Sequence, residues 1–372
     1  MTVALETRSV ESPVAAEIYI SATPKESASS HDQAQEIFSA IRGVLHAKNA
    51  FILQERIFGT KAATGTASRV RSEIYGNMDD GVAASFLAGK QGMVGPIAGV
   101  QVHAVIGESE PEVICIEGKP CGRVFRVPGH TYLTLSSISV PQLANAVEQA
   151  EAAFARAESA LKQFGADFLS VPRTWMWLGD ILSWYDDFNQ VRNKFFAERK
   201  LIGRGTRQSM PASTGIGLCP ADGSKCAMDL AAVLQPPNST EYLQAVGRQQ
   251  CALEYGSAFS RASRTMTPAG QTIFVSGTAS IDANGATTNI GDARGQIDTT
   301  IENVRAVLRD TQTADDDVVQ AVAYCKTTEV EEIFNNVKRN LPWPSVTVIC
   351  DICRPDLLFE VEATACKPTL PK

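Results

Sequence analysis

Histidine and clustered basic charge are what this 372-residue sequence has least of. Its four histidines, His31, His46, His103 and His130, are scattered, and none lies in an H-x-x-E-H type helix pair. Among the nine cysteines Cys219/Cys226 and Cys350/Cys353 are close pairs, with no second pair at metal-ligand spacing, so no metal is expected. The segment Gly203-Arg204-Gly205-Thr206 does not continue as a phosphate loop or a dinucleotide fingerprint, and no cofactor is expected either. With 34 basic against 41 acidic residues, a formal charge of −7 and no Lys/Arg run, non-specific nucleic-acid binding is excluded. No apolar run approaches the ~20 residues that span a bilayer. The start, MTVALETRSVESP, lacks the basic opening and apolar core of a secretory leader. The expectation is a cytoplasmic protein without membrane or nucleic-acid partners, its cysteines reduced.

What is present is ample core material: 44 % of residues are apolar and 20 % charged. The length calls for two or three units of ~100–150 residues. Residues 1–13 read as a disordered lead. From residue 14 to 125, a strand at Glu17–Ser21, a helical stripe at Ile37, Ile41 and Leu45, and a strand at Phe51–Phe58 precede an irregular stretch, Gly59–Gly92. Two closing strands, Ile97–Ile106 and Val113–Glu117, follow. From 130 to 234 the order recurs: strand Tyr132–Ile138, helix Pro141–Phe164, strand Phe168–Leu178, helix Trp184–Ala197, and two strands near Ala212–Leu218 and Ala227–Val233. Residues 235–254 read as a Pro-containing linker with a helix. From 255 to 372 the pattern is clearest, with strand Thr272–Ile281, an Asp282–Gly285 turn, helix Gln296–Leu308, strand Val318–Cys325 and helix Glu329–Leu341. WYDDFNQVRNKFF then PASTGIGL overlays EEIFNNVKRNL then PSVTVICD. The sequence therefore predicts an α+β protein of three βαβαββ units.

The chain closes on Val346–Ala365, read as two strands joined by an Arg354-Pro355-Asp356 turn. Glu360 and Glu362, two apart, share one strand face. Beside Leu358 and Phe359, desolvation would raise a carboxyl pKa toward that of a general acid at neutral pH. A solvated pair on an edge strand is the alternative.

The last unit resembles a subunit of the RidA/YjgF superfamily. The resemblance rests on Tyr255-Gly256-Ser257-Ala258-Phe259-Ser260-Arg261-Ala262, Phe274-Val275-Ser276-Gly277, Gln296 with Asn303, Asp317-Val318-Val319, and Phe359-Glu360-Val361-Glu362-Ala363. It covers about Tyr255–Ala365 and implies threefold packing with ligand clefts between subunits, here as an intramolecular pseudo-trimer. In the overlay, Cys115 and Asp229 occupy the place of Glu360 in the first and second units, so one working cleft is expected. Within the superfamily the chain is most similar to the chorismatases, through Arg248-Gln249, the Tyr255–Ala262 segment, Ser276–Ser280, Pro211–Gly215 and Asp351–Arg354 leading to Glu360. The segment PRTWMWLGDILSWYDDFNQVRNKFF lacks the Asn-rich loop expected there, which points to chorismate or a relative of it as substrate.

That resemblance implies cleavage of an enolpyruvyl ether to pyruvate and a hydroxybenzoate, such as 3-hydroxybenzoate, or a dihydrodiol, as in secondary metabolism. Glu360 would be the acid, and Cys353 would act on a ring carbon or simply pack as a small hydrophobe. Arg261, Arg248 and Arg173 are candidates to hold a dianionic substrate, or else ordinary ion pairs. Tyr255 and Phe259 would wall the cleft, and Gly277 would leave room for the ring. Two other readings stay open. An imine deaminase would need an arginine on the first closing strand, and none occurs between Arg339 and Arg354. The other is a non-catalytic small-ligand-binding pseudo-trimer. A monomer or weak oligomer is expected, since threefold contacts are met internally.

Overall fold

The computed structural model describes residues 2–202 and 208–368. The Gly203–Thr206 segment discussed above lies outside them. Within the first unit the strands are β1 (Val3–Glu11), β2 (Ala16–Pro24), β3 (Phe51–Thr60), β4 (Ser85–Gly89) and β5 (Ile97–Ile106), with helices α1 (Ser30–Lys48) and α2 (Thr64–Tyr75). The second holds β6 (Glu112–Ile116), β7 (Lys119–Val127), β8 (His130–Ser139), α3 (Ala146–Lys162), β9 (Arg173–Leu178), α4 (Tyr185–Glu198), β10 (Ala212–Ile216), the short β11 (Cys219–Pro220) and β12 (Cys226–Gln235). The third holds β13 (Glu241–Leu243), β14 (Ala262–Met266), β15 (Gly270–Ala279), α5 (Ala293–Asp310), β16 (Val318–Cys325), α6 (Thr328–Lys338), β17 (Ser345–Ile349) and β18 (Phe359–Pro368).

The three sheets share one order. They run β1-β2-β5-β3-β4, β7-β8-β12-β9-β10 and β14-β15-β18-β16-β17, and β11, β6 and β13 each add an edge strand. In every unit a helix crossover lays the fourth strand parallel to the third, and the fifth returns antiparallel between the second and third. Four helices begin where a short polar side chain accepts from free backbone N–H groups: Ser29 before α1, Asn145 before α3, Asp292 before α5 and Thr327 before α6. Each unit's helices pack on the outer face of its own sheet, as Phe38 and Ile41 do in the first, Phe154 and Phe188 in the second, and Ile297 and Phe334 in the third. The inner faces meet in a fourth core built from strands and loops of all three units, with Phe58 and Leu87, Trp175 and Trp177, and Val322, Tyr324 and Val346 among its members. This is the three-unit α+β architecture expected, closed around a pseudo-threefold axis.

Several local expectations are corrected. The lead is not disordered: β1 pairs with β2 along its whole length, from Val3↔Pro24 to Glu11↔Ala16. Val113–Glu117 does not close the first unit, because β6 pairs with β7 and through it with the second sheet. The irregular stretch after Phe58 holds the helix α2 and the strand β4. Residues 235–254 contain a short edge strand and the start of a 3-10 turn, and no α-helix. The closing hairpin does not exist either. Strands β17 and β18 flank β16 on opposite sides, since a parallel crossover places β17 at the sheet edge and β18 fills the gap beside β15.

Candidate functional site

Alternation along β18 separates its side chains cleanly. Phe359 and Val361 enter the helix-side core, while Glu360 and Glu362 point inward, each only 4 % exposed. The solvated edge-strand alternative is therefore overturned. Glu360 stands in register with Tyr324 of β16 and Ala279 of β15. Opposite it, β15 carries a register shift between Val275 and Thr278 that brings Gly277 against the acid. A Cβ at Gly277 would overlap Glu360 Oε1, so the glycine supplies the space in which the carboxyl lies. Thr214 Oγ1 of β10, from the second unit, accepts from Gly277 N at 3.0 Å.

The result is a cleft of about 490 Å³, mouth included, between the second and third units. The third unit contributes Glu360, Cys353, Arg354, Tyr255, Phe259, Arg261 and Gly277, and the second contributes Tyr185 and Arg192 from α4 with Ser213 and Gly215 from β10. Three guanidinium groups are held against its aromatic walls. Arg261 lies 5.3 Å from the Tyr255 ring and 5.4 Å from Phe259, Arg192 lies 5.4 Å from Phe259, and Arg354 lies 5.4 Å from Tyr255. Backbone and side-chain acceptors fix their directions: Arg261 Nε donates to Gln250 O, Arg354 Nη1 to Gly285 O, and Arg192 Nη2 to Asn189 Oδ1.

Burial pushes the Glu360 carboxyl from an ordinary 4.5 up to about 8, and the neighbouring Glu362 charge adds to this. Arg173, Arg354 and Arg261 pull the other way and do not win. The acid is thus mostly protonated at neutral pH. Burial, then the nearby Glu360, pushes the Cys353 thiol up to about 12. Cys353 sits in the loop between β17 and β18, not on a hairpin strand, and it is a thiol rather than a thiolate. Burial lowers the pKa of Arg192 and raises that of Tyr185.

Of the residues singled out in the sequence, Glu360, Cys353, Arg261, Tyr255, Phe259 and Gly277 meet in this cleft. Two do not. Arg248 is exposed on the surface and does not line it. Arg173 lies behind the wall, its Nη2 donating to Glu362 Oε2 at 2.8 Å and to Thr214 Oγ1 at 2.6 Å. Sequence reading missed Arg192, Arg354 and Tyr185. For Arg192 a signal existed: it falls on the apolar stripe of α4 with Phe188 and Phe195, where a surface charge would not. Arg354 was absorbed into a turn.

Strand register also settles which residues stand where Glu360 does. Glu360 pairs with Tyr324, Asp229 with Trp175 and Gly99 with Phe58, and all three aromatic partners belong to the central core. The second-unit assignment to Asp229 agrees with this register. The first-unit assignment to Cys115 does not, because Cys115 is exposed on β6 and the position belongs to Gly99. Asp229 is consumed: Arg56 Nε (3.2 Å), Ser85 Oγ (2.7 Å) and Ser137 N (2.8 Å) all donate to it. At Gly99 a Cβ would meet Val346 of the third unit at 2.9 Å, so no cleft opens there.

Residues 252–367 match the family model described as Endoribonuclease L-PSP, the RidA/YjgF type. No curated protein matches the chain significantly. Among solved structures, a chorismatase crystal structure superposes with a TM-score of 0.61 at 19 % identity, covering 85 % of this chain and 93 % of that one. RidA from the Antarctic bacterium Psychrobacter matches 34 % of this chain with 99 % of its own length, at 18 % identity and a TM-score of 0.29. The C-terminal third thus matches that family model, and the chain as a whole has the fold seen in the chorismatase structure.

Proposed function

We propose that this protein is a cofactor-free enzyme that cleaves the enolpyruvyl ether of chorismate or a close analogue, in the cleft between its second and third units. The observation that carries this reading is a single buried, neutral carboxyl, Glu360, facing a cavity lined by three guanidinium groups. Protonation of an enol ether at its terminal methylene is slow, so the donor must be held close, aligned and away from water. Glu360 delivers its proton to that carbon, and the electron pair of the double bond forms the new C–H bond. Water then captures the oxocarbenium carbon, and the hemiketal collapses to pyruvate and the ring alcohol. The ionised Glu360 recovers a proton from the attacking water, which balances the cycle. Arg261, Arg354 and Arg192 supply the fixed positive charge a dianionic substrate requires. The interface at Asp229 cannot do the same, because its carboxylate is already bound.

Incubation with chorismate, followed for pyruvate and hydroxybenzoates, tests the reading directly. Glu360→Gln is nearly isosteric but holds no transferable proton. General acid steps contribute ~10²–10⁴-fold, so this variant should fold and lose at least that much turnover. Near-normal turnover would remove Glu360 as the acid, and ammonia release from a 2-iminoacid would hand the site to deaminase chemistry.

A further inference from the structure

The two interfaces that carry a buried arginine use the same clamp on different carboxylates. Arg56 of β3 reaches from the first unit to Asp229 of the second, and Arg173 of β9 reaches from the second unit to Glu362 of the third. Arg56 and Arg173 occupy matching positions, paired with Ser85 and Ala212 on the adjacent parallel strands. The carboxylates they hold do not match. Asp229 stands where Glu360 stands, whereas Glu362 is one strand repeat further on, opposite Val322. In the second unit the place of Glu362 is taken by Ala231, opposite Arg173. Where the second carboxylate is missing, the arginine has taken the first.

We propose that Glu362 is a positioning residue whose role is to keep Arg173 engaged, so that this cation does not pair directly with Glu360, which retains its proton. The proposal rests on the reading of Glu360 as proton donor. Three further observations support it. Glu362 is doubly tied down, accepting from Arg173 Nη2 at 2.8 Å and from Trp175 Nε1 at 2.9 Å. Arg173 is close enough to compete for Glu360, since its Nη2 also donates to Thr214 Oγ1, the acceptor of Gly277 N, and Glu360 Oε1 lies against Gly277. Its other terminal nitrogen, Nη1, is buried without a hydrogen-bond partner among the described residues.

The other groups facing Glu360 stay in place when Glu362 changes. From the third unit these are Arg261, Arg354, Cys353 and Cys350, and from α4 of the second unit Tyr185 and Arg192. Removal of Glu362 takes away its own repulsion of Glu360 as well as its hold on Arg173, and changing Arg173 separates the two.

The test is a carboxyl titration by NMR on protein labelled with ¹³C-glutamate, the Glu360 resonance being assigned by its loss in Glu360→Gln. In Glu362→Ala, the Glu360 titration should fall by roughly one unit or more, as expected for a carboxyl gaining an adjacent cation. Adding Arg173→Met should raise it again, and by more than Arg173→Met does with Glu362 present, because the arginine pairs with Glu360 only once Glu362 is gone. Glu362→Gln keeps the volume and one of the two acceptors, removes the charge, and provides the same readout should the alanine variant fail to fold. A titration unmoved by either Glu362 change, or an Arg173→Met shift no larger in Glu362→Ala than with Glu362 present, overturns the inference. No substrate enters this measurement. A wild-type protein inert toward chorismate would sink the functional reading while leaving the titration to stand or fall by itself.

Discussion

Glu360 is held in a form that the rest of the molecule pays for. Its pKa is about 8 in the folded protein against an ordinary 4.5. Between those values the folded state keeps a proton that the unfolded chain releases, so stability declines as pH rises from about 4.5 and the loss is complete above about 8. At 1.36 kcal/mol per pH unit the full penalty is at most roughly 5 kcal/mol. Glu360→Gln removes it. We expect this variant to unfold at a higher denaturant concentration than wild type at pH 8, with the gap closing below pH 5. Equal midpoints at both pH values would show that the carboxyl is not buried as described. Turnover has the same sign: it should fall as pH rises through about 8, where the donor loses its proton. Cys353 is a second residue-scale case. A thiol pushed up to about 12 cannot attack a ring carbon unless a base takes its proton, and among the described residues lining the cleft Glu360 is the carboxylate that would do so after donating. Cys353→Ala should leave ether cleavage well above that of Glu360→Gln while diverting product from 3-hydroxybenzoate toward a dihydrodiol. An unchanged product mixture by chromatography would reduce Cys353 to packing.

Among the elements, the fifth strands β5, β12 and β18 decide what each interface becomes. They occupy the same slot in their sheets, yet carry Gly99, Asp229 and Glu360 at the matching position. The first closes by tight backbone packing, the second by a buried ion pair, and the third stays open. Asp229→Ala leaves Arg56 buried without its carboxylate partner, and breaking a buried pair costs ~3–5 kcal/mol. Chemical denaturation should show a loss of that size, with Glu360-dependent turnover unchanged under native conditions. A loss below ~1 kcal/mol, the range of a solvent-exposed pair, would mean that Asp229 is not a structural anchor. Strand and helix order was legible in the third unit because Ile297, Ile301, Val304 and Leu308 mark α5 and the β16 run is continuously apolar. In the first unit α2 was hidden, since TGTASRVRSEIY carries few apolar residues and buries chiefly Ala67, Val70 and Tyr75.

At the scale of the whole molecule, the three inner sheet faces already cover one another around the central core. A free-standing unit would need two more copies to bury that face, and this chain supplies all three. Light scattering should therefore give a mass near the chain's 39.9 kDa. A stable ring of three whole chains would contradict the internal closure.

The sequence by itself determined the unit count, the strand-helix order of the last unit, and the carboxylates at 360 and 362, because periodicity and short motifs are properties of adjacent residues. It could not say that the strands before and after Arg354 are separated by β16, since strand order depends on which edges remain free once the crossovers are made. Nor could it choose among the arginines. Arg173 and Glu362 lie 189 residues apart and meet only because two units pack inner face to inner face. Arg192 enters the cleft from a helix of the neighbouring unit, and Arg248, equally suggestive in the chain, ends on the surface. Burial is the largest influence on the proton affinity of Glu360, and the cleft walls that bury it come largely from residues distant in sequence. Of the neighbouring charges Glu362 and Arg354 are local, while Arg173 and Arg261 are brought in by the tertiary structure.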